Sequence, residues 1–183
     1  MKVKILFVAI VLSVFCGLTA VAQSGQDDAA AKDASKTVWK DTKSGLTWQV
    51  APTGGKLTRE QALAHCKSLS LDGHGDWRLP TISELRSLVR GCPGTQKDGS
   101  CKVTDSCVSY KKCRNESCGH CPEQGGPGLH GAYWPPELSG MASWYWSSCP
   151  VADDKGAAWN LLFSTGSVDS NNRINDYHVR CVR

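Results

Sequence analysis

The stretch Gly75-Asp76-Trp77-Arg78-Leu79-Pro80-Thr81-Ile82-Ser83-Glu84-Leu85 decides how the chain is read. Pro80 biases Leu79 away from helix, so residues 77–79 run extended up to a sharp boundary. Thr81 and Glu84 then stand three apart, the spacing of a capping box in which each side chain bonds the other residue's backbone N–H. Ile82, Leu85, Leu88 and Val89 supply one apolar stripe, and Gly91 is placed to stop the helix. Upstream, Asp72-Gly73-His74-Gly75-Asp76 is a turn. Before it, Thr58-Arg59-Glu60-Gln61 repeats the capping device, with Ala62, Leu63, Cys66 and Leu69 as its stripe. Further upstream, Thr37-Val38-Trp39 and Leu46-Thr47-Trp48-Gln49 are short β-type runs. They flank Asp41-Thr42-Lys43-Ser44-Gly45, whose glycine suits a hairpin turn.

Downstream the character changes. Residues 92–140 hold six cysteines, many Gly and Pro and few aliphatics, which predicts an insertion held by cross-links with no core of its own. Three strand candidates follow, at residues 144–148, 158–164 and 177–182. In the second, Trp159, Leu161 and Phe163 alternate with Asn160, Leu162 and Ser164, as in a half-buried strand. Thr165-Gly166 then turns the chain into Ser167-Val168. Strands, two helices, a cysteine-rich excursion and strands again predict an α+β fold, mostly antiparallel.

The N-terminus bears on the compartment. Lys2 and Lys4 precede an apolar run at residues 5–15, and Ala20-Val21-Ala22 offers a small-x-small cleavage site, so residues 1–22 read as a signal peptide. The run is too short for a lasting membrane anchor. Phe15 stands where lipoprotein processing at Cys16 wants a small residue. Residues 23–36 carry no aliphatic larger than Ala and read as a flexible linker before a domain at 37–183. Loss of Lys2 and Lys4 lowers the formal charge from +4 to +2. That weak, dispersed charge gives no sign of nucleic-acid or membrane-surface binding. Nine cysteines remain: Cys66, Cys92, Cys101, Cys107, Cys113, Cys118, Cys121, Cys149 and Cys181. Behind a secretory signal they read as a disulfide framework in a secreted, periplasmic or cell-surface protein. Nine is odd, so at least one is free, intermolecular or metal-bound.

Four blocks occur in order: Gly45-Leu46-Thr47-Trp48-Gln49; residues 75–81 with Glu84-Leu85; Tyr145-Trp146-Ser147-Ser148; and Val179-Arg180-Cys181-Val182-Arg183. Together they resemble the bacterial domain family named for the C-terminal domain of a collagen-like adhesin. That family is related to the formylglycine-generating enzyme and C-type lectin folds. The resemblance covers residues 37–183 apart from the insertion. It implies a C-type-lectin-like scaffold, and it implies that Cys66 on the first helix is bridged to Cys181 on the final strand. Function does not follow from the scaffold, which hosts adhesins, receptors and oxidases.

The chemical motifs have plain alternatives. Cys118-Gly119-His120-Cys121 matches a dithiol redox centre, but that chemistry needs the first cysteine at a helix N-terminus after a strand. Here the motif lies in a Pro/Gly-rich insertion, and structural cross-linking is the expectation. Cys113, Cys118 and Cys121 with His120, or Cys101 and Cys107 with the later pair, have zinc-like spacing, yet after a signal peptide oxidation competes; no metal is expected. An oxidase of the formylglycine-generating type would need its own cysteine pair near the C-terminus, where only Cys181 stands. His65 and His74 have no catalytic partner by spacing. Trp159-Asn160-Leu161 has Leu where a lectin's calcium ligand belongs, and a hard cation needs several converging oxygens. No cofactor and no enzymatic activity are therefore expected. Of the seven tryptophans, Trp39, Trp48, Trp77 and Trp159 sit in core-like patterns; Trp134, Trp144 and Trp146 are less clear but fit the core as well.

Asp169-Ser170-Asn171-Asn172-Arg173-Ile174-Asn175-Asp176-Tyr177-His178 looks unlike scaffold. It is almost wholly polar, is read as a loop between two strands, and is rich in side chains that donate and accept. Asp169, Asn171, Asn172, Arg173, Asn175, Asp176, Tyr177 and His178 are the candidate ligand-binding residues, for a glycan or protein ligand. An ordinary solvated hairpin is the alternative for this stretch. The Asn-rich composition also fits a lectin-fold segment diversified by a retroelement. The competing function is a structural subunit of an envelope assembly, with the insertion as interface and the odd cysteine as an intermolecular link.

Overall fold

Thr58 and Thr81 both open helices in the computed structural model, which describes residues 36–121 and 125–183. The expected signal peptide and all but the last residue of the linker lie outside the described residues. Helix α1 is Arg59–Ser68 and α2 is Ile82–Leu88. Each has a complete capping box: Thr81 Oγ1 accepts from the Glu84 N–H at 3.2 Å, and Glu84 Oε2 accepts from the Thr81 N–H at 2.8 Å. Burial tends to raise the Glu84 pKa. The Arg78 hydrogen bonds, the Thr81 N–H and the Arg78 charge outweigh it and hold the carboxyl below its usual range. Ile82, Leu85 and Leu88 are fully buried. Helix α2 ends at Leu88, short of Gly91. Val89 is already extended, and leaving the helix turns its side chain into the core at 1 % exposure.

Strands β1 (Val38–Lys40) and β2 (Thr47–Gln49) form an antiparallel hairpin with Trp39 opposite Trp48. Asp41 ties its turn by accepting from the Lys43 N–H at 3.0 Å and the Ser44 hydroxyl at 2.8 Å, and Gly45 takes φ +76°. The second sheet is β3 (Trp144–Val151), β4 (Asp154–Leu162) and β5 (Ser167–Asn172), antiparallel in that order. The fold class is α+β. Residues 177–182, expected as a strand, form isolated bridges instead. Tyr177 pairs with Leu57, His178 with Tyr145, and Val182 with both Trp48 and Arg78. The chain end pairs with several elements in turn, none for long enough to make a ladder. By doing so it stitches the hairpin, the approach to α1 and the sheet together.

Two clusters make the core. One gathers Ala62, Cys66, Trp77, Leu79, Trp146, Ala158, Val179 and Cys181. The other joins Trp48 and the α2 stripe to Trp159, Leu161, Phe163 and Val168. The insertion does contribute to this second cluster, contrary to expectation. Val103, Ala132, Tyr133, Trp134 and Leu138 are all buried in it. Trp134 packs tilted on Phe163 at 5.0 Å and edge-on to Tyr145 at 5.7 Å between ring centroids. The disulfides therefore join residues within 92–121, while Ala132, Tyr133, Trp134 and Leu138 beyond them are core, as is Val103 among them. Trp48, Trp134, Trp146 and Trp159 are fully buried, while Trp39 and Trp144 are half-buried.

Arg86 and Arg180 are more deeply buried than Arg59. Arg86, 1 % exposed, donates to the carbonyls of Thr95 at 2.9 Å, Gln96 at 2.8 Å and Val103. Arg180, also 1 % exposed, donates to the carbonyls of Gln49 at 2.6 Å, Ser139 at 2.6 Å and Val50, and lies over the rings of Trp134 and Tyr145. Neither has a carboxylate partner among the described ion pairs. Burial lowers both pKa values, and hydrogen bonds to carbonyls replace the lost water.

Candidate functional site

The polar stretch at 169–178 is two things structurally. Asp169 to Asn172 belong to strand β5, where Asp169 pairs with Asn160 and Asn171 with Ala158, so the first four residues of the expected loop are sheet. The β4 partner, with apolar positions at Ala158 and Trp159, extends the ladder further than the polar sequence of β5 suggests. The remainder is a turn. The Asn172 carbonyl accepts from the Asn175 N–H at 3.0 Å and its side-chain Oδ1 from the Ile174 N–H at 3.2 Å. The turn is pinned at both ends. Arg173 N–H donates to the Gly156 carbonyl at 2.9 Å, and Tyr177 and Leu57 exchange backbone hydrogen bonds at 3.0 and 2.9 Å.

The eight candidate residues divide accordingly. Asp169 holds the insertion, accepting from Arg114 Nε and Nη2 at 3.2 Å each. Asn171 is used internally: with the buried Asn160 amide turned to donate to the Asp169 carbonyl at 3.1 Å, its oxygen accepts from Asn171 Nδ2 at 3.0 Å. Asn172, Asn175 and Asp176 are exposed. Arg173 reaches Glu60 of α1 at 3.6 Å, an exposed pair worth little. Exposed Ile174 lies within this polar run, at 76 %. Tyr177 is half-buried, its ring 4.7 Å from that of Trp146 and 6.0 Å from that of Trp144. His178 lies beneath, stacked on Tyr145 at 5.4 Å between centroids, and both of its ring nitrogens are buried without a partner. Burial first, then the charges of Lys56 and Arg180, push its pKa below the ordinary histidine value.

Lys56, Leu57, Glu60 and Trp144 therefore belong to this face although nothing local in their sequence marks them. The contacts that bring them there span most of the chain. A groove of about 690 Å³ is lined by Glu60, Leu63, Ala64, Lys67, Trp77 and Leu79 among others; it shares Glu60 with this face, but none of the eight candidates lines it.

The cysteines form four bridges: Cys66–Cys181, Cys92–Cys121, Cys101–Cys118 and Cys107–Cys113. Cys118 and Cys121 are bonded to different partners, so the tetrapeptide does not hold a dithiol pair. The zinc-like sets are equally consumed, and the described residues contain no group of three metal-ligating side chains. Among the described residues, Cys149 is the unpaired cysteine. It is 9 % exposed and stands outside the disulfide framework in which it was counted, the free thiol being one of the alternatives open for the odd cysteine. Burial pushes its thiol up to about 11, against the Ile82 N–H that donates to the sulfur at 3.3 Å.

The insertion is latched where its short helix α3 (Tyr110–Cys113) begins. Asp153, in the β3–β4 turn, accepts from Lys111 N–H at 2.9 Å, Tyr110 N–H at 2.6 Å and the Ser109 hydroxyl at 3.1 Å. These bonds, with Lys111 N–H foremost, hold its carboxyl below the usual range. No helix among the described residues is long and apolar enough to cross a membrane. A family model described as the Lcl C-terminal domain matches residues 37–183. No curated protein matches the sequence.

Proposed function

Because the chain belongs to the Lcl C-terminal domain family, we propose that it is a secreted or cell-surface, adhesin-like module that binds a glycan or protein rather than catalysing a reaction. Its scaffold on this reading is C-type-lectin-like. The observation that carries the proposal is the turn at residues 172–176. It exposes Asn172, Asn175 and Asp176, with Arg173 partly exposed, from a base pinned on both sides, next to the half-buried rings of Trp144 and Tyr177. Adaptable polar groups beside amphipathic rings suit either ligand class. Four disulfides support an oxidising compartment, as does the signal-like N-terminus. The test is binding of the domain to glycan and protein arrays, repeated with Arg173→Ala, Asn175→Ala and Asp176→Ala combined. Loss of about tenfold or more in affinity is expected, since a few contacts dominate such interfaces. Full binding by the folded triple variant would remove this face from the function.

A further inference from the structure

We propose that His178 is an acid-sensitive latch: neutral, it seats the 173–177 turn against the sheet, and protonated, it lets that turn go. The mechanism stands on the geometry; only its consequence, ligand release on acidification, rests on the reading above. His178 is the splice between the turn and β3. Its N–H donates to the Trp144 carbonyl at 3.0 Å, and its own carbonyl accepts from the Trp146 N–H at 3.2 Å. The ring lies on Tyr145, tilted by 29°, with Nδ1 and Nε2 both shut off from solvent and unpartnered.

An imidazolium carries two N–H donors and needs acceptors or water for both. This seat offers neither. The charged and titratable groups facing it are Lys56 from the loop before α1, Arg180 two residues on, and Tyr145 from β3. Both charges are positive. The Tyr145 hydroxyl donates to the Met141 carbonyl at 3.0 Å, and burial raises its pKa, so it brings no negative charge. A proton on His178 thus meets burial and two like charges, and the relief is for the ring to swing out.

The sign follows from linkage. The seated pKa is lowered, so as pH falls below about 6.5 the open state binds the proton first, and closure weakens down to the seated pKa. Opening stays local. Cys181, three residues on, is covalently clasped to Cys66, and Val182 is bonded on both sides. The turn itself contains no cross-link.

Hydrogen–deuterium exchange of the full chain, corrected for intrinsic rates, tests this at about pH 7.5 and about pH 5. Amides of residues 173–178 should lose about tenfold in protection at the lower pH, while β4 is unchanged. NMR should find the His178 ring neutral below the ordinary histidine range. His178→Phe should remove the pH dependence, and His178→Gln serves the same purpose if the phenylalanine does not pack. Equal protection at both pH values, or a His178 that titrates at or above the ordinary value, would overturn the latch. Neither readout needs a ligand, so the latch and the binding face fail separately.

Discussion

Residues 92–121 and residues 169–178 are both polar and poor in aliphatic side chains, and they are held in opposite ways. Three disulfides, the Arg86 guanidinium and the Asp153 carboxylate tie the first down. The second contains no cross-link and leans on backbone pairing with Gly156 and Leu57 and on the rings of Trp144, Tyr145 and Trp146. Both have little aliphatic area to hold them by burial, although Val103 anchors the first in the core. The difference is what replaces it. Covalent links remove freedom permanently and suit a brace, whereas hydrogen bonds and stacking hold a surface that can still adjust.

The sharpest way to break this comparison is to cut staples of different reach. Replacing Cys66 and Cys181 by alanine opens a span of 115 residues and should cost about 4–5 kcal/mol in the chain-entropy account, less any strain relieved. Replacing Cys107 and Cys113 opens a span of six, and the same account gives about 2 kcal/mol. Denaturant titration of both variants measures the gap, and equal losses would mean that loop length is not what the bridges act on. Next is Arg86→Leu, which strips the carbonyls of Thr95 and Val103 of their donor, leaves that of Gln96 with the Gly99 N–H alone, and should cost about 3 kcal/mol. Limited proteolysis should then cut within residues 92–104; an unchanged pattern would show that the disulfides suffice. The smallest effect belongs to the other region. Arg173→Ala, Asn175→Ala and Asp176→Ala together should move stability by no more than about 0.5 kcal/mol, because these side chains are exposed or weakly paired. A large loss would make the turn structural and erase the contrast.

Much of the scaffold was legible because its signals are local. Thr58 with Gln61 and Thr81 with Glu84 announce helices three residues into each, and Asp41 to Gly45 announces a turn, since caps and turns act over a few bonds. The polar run at 169–178 drew attention to the right stretch. Its composition did not reveal that Asp169 and Asn171 are engaged by Arg114 and Asn160. Nor did the glycine and cysteine content of the insertion reveal that Trp134 and Leu138 enter the core, because burial depends on what lies opposite.

By itself the sequence determined the capped helices, the hairpin turn, the cysteine-based framework and the polar character of the C-terminal stretch. Each depends on residue type and short spacing. Only the tertiary structure decided which cysteine stays a thiol, where residues 177–182 pair, and which candidate side chains remain exposed. It also decided that the His178 ring nitrogens are buried without a partner, near the charges of Lys56 and Arg180. Those outcomes depend on solvent access and on contacts between residues far apart in the chain, and no local pattern encodes either.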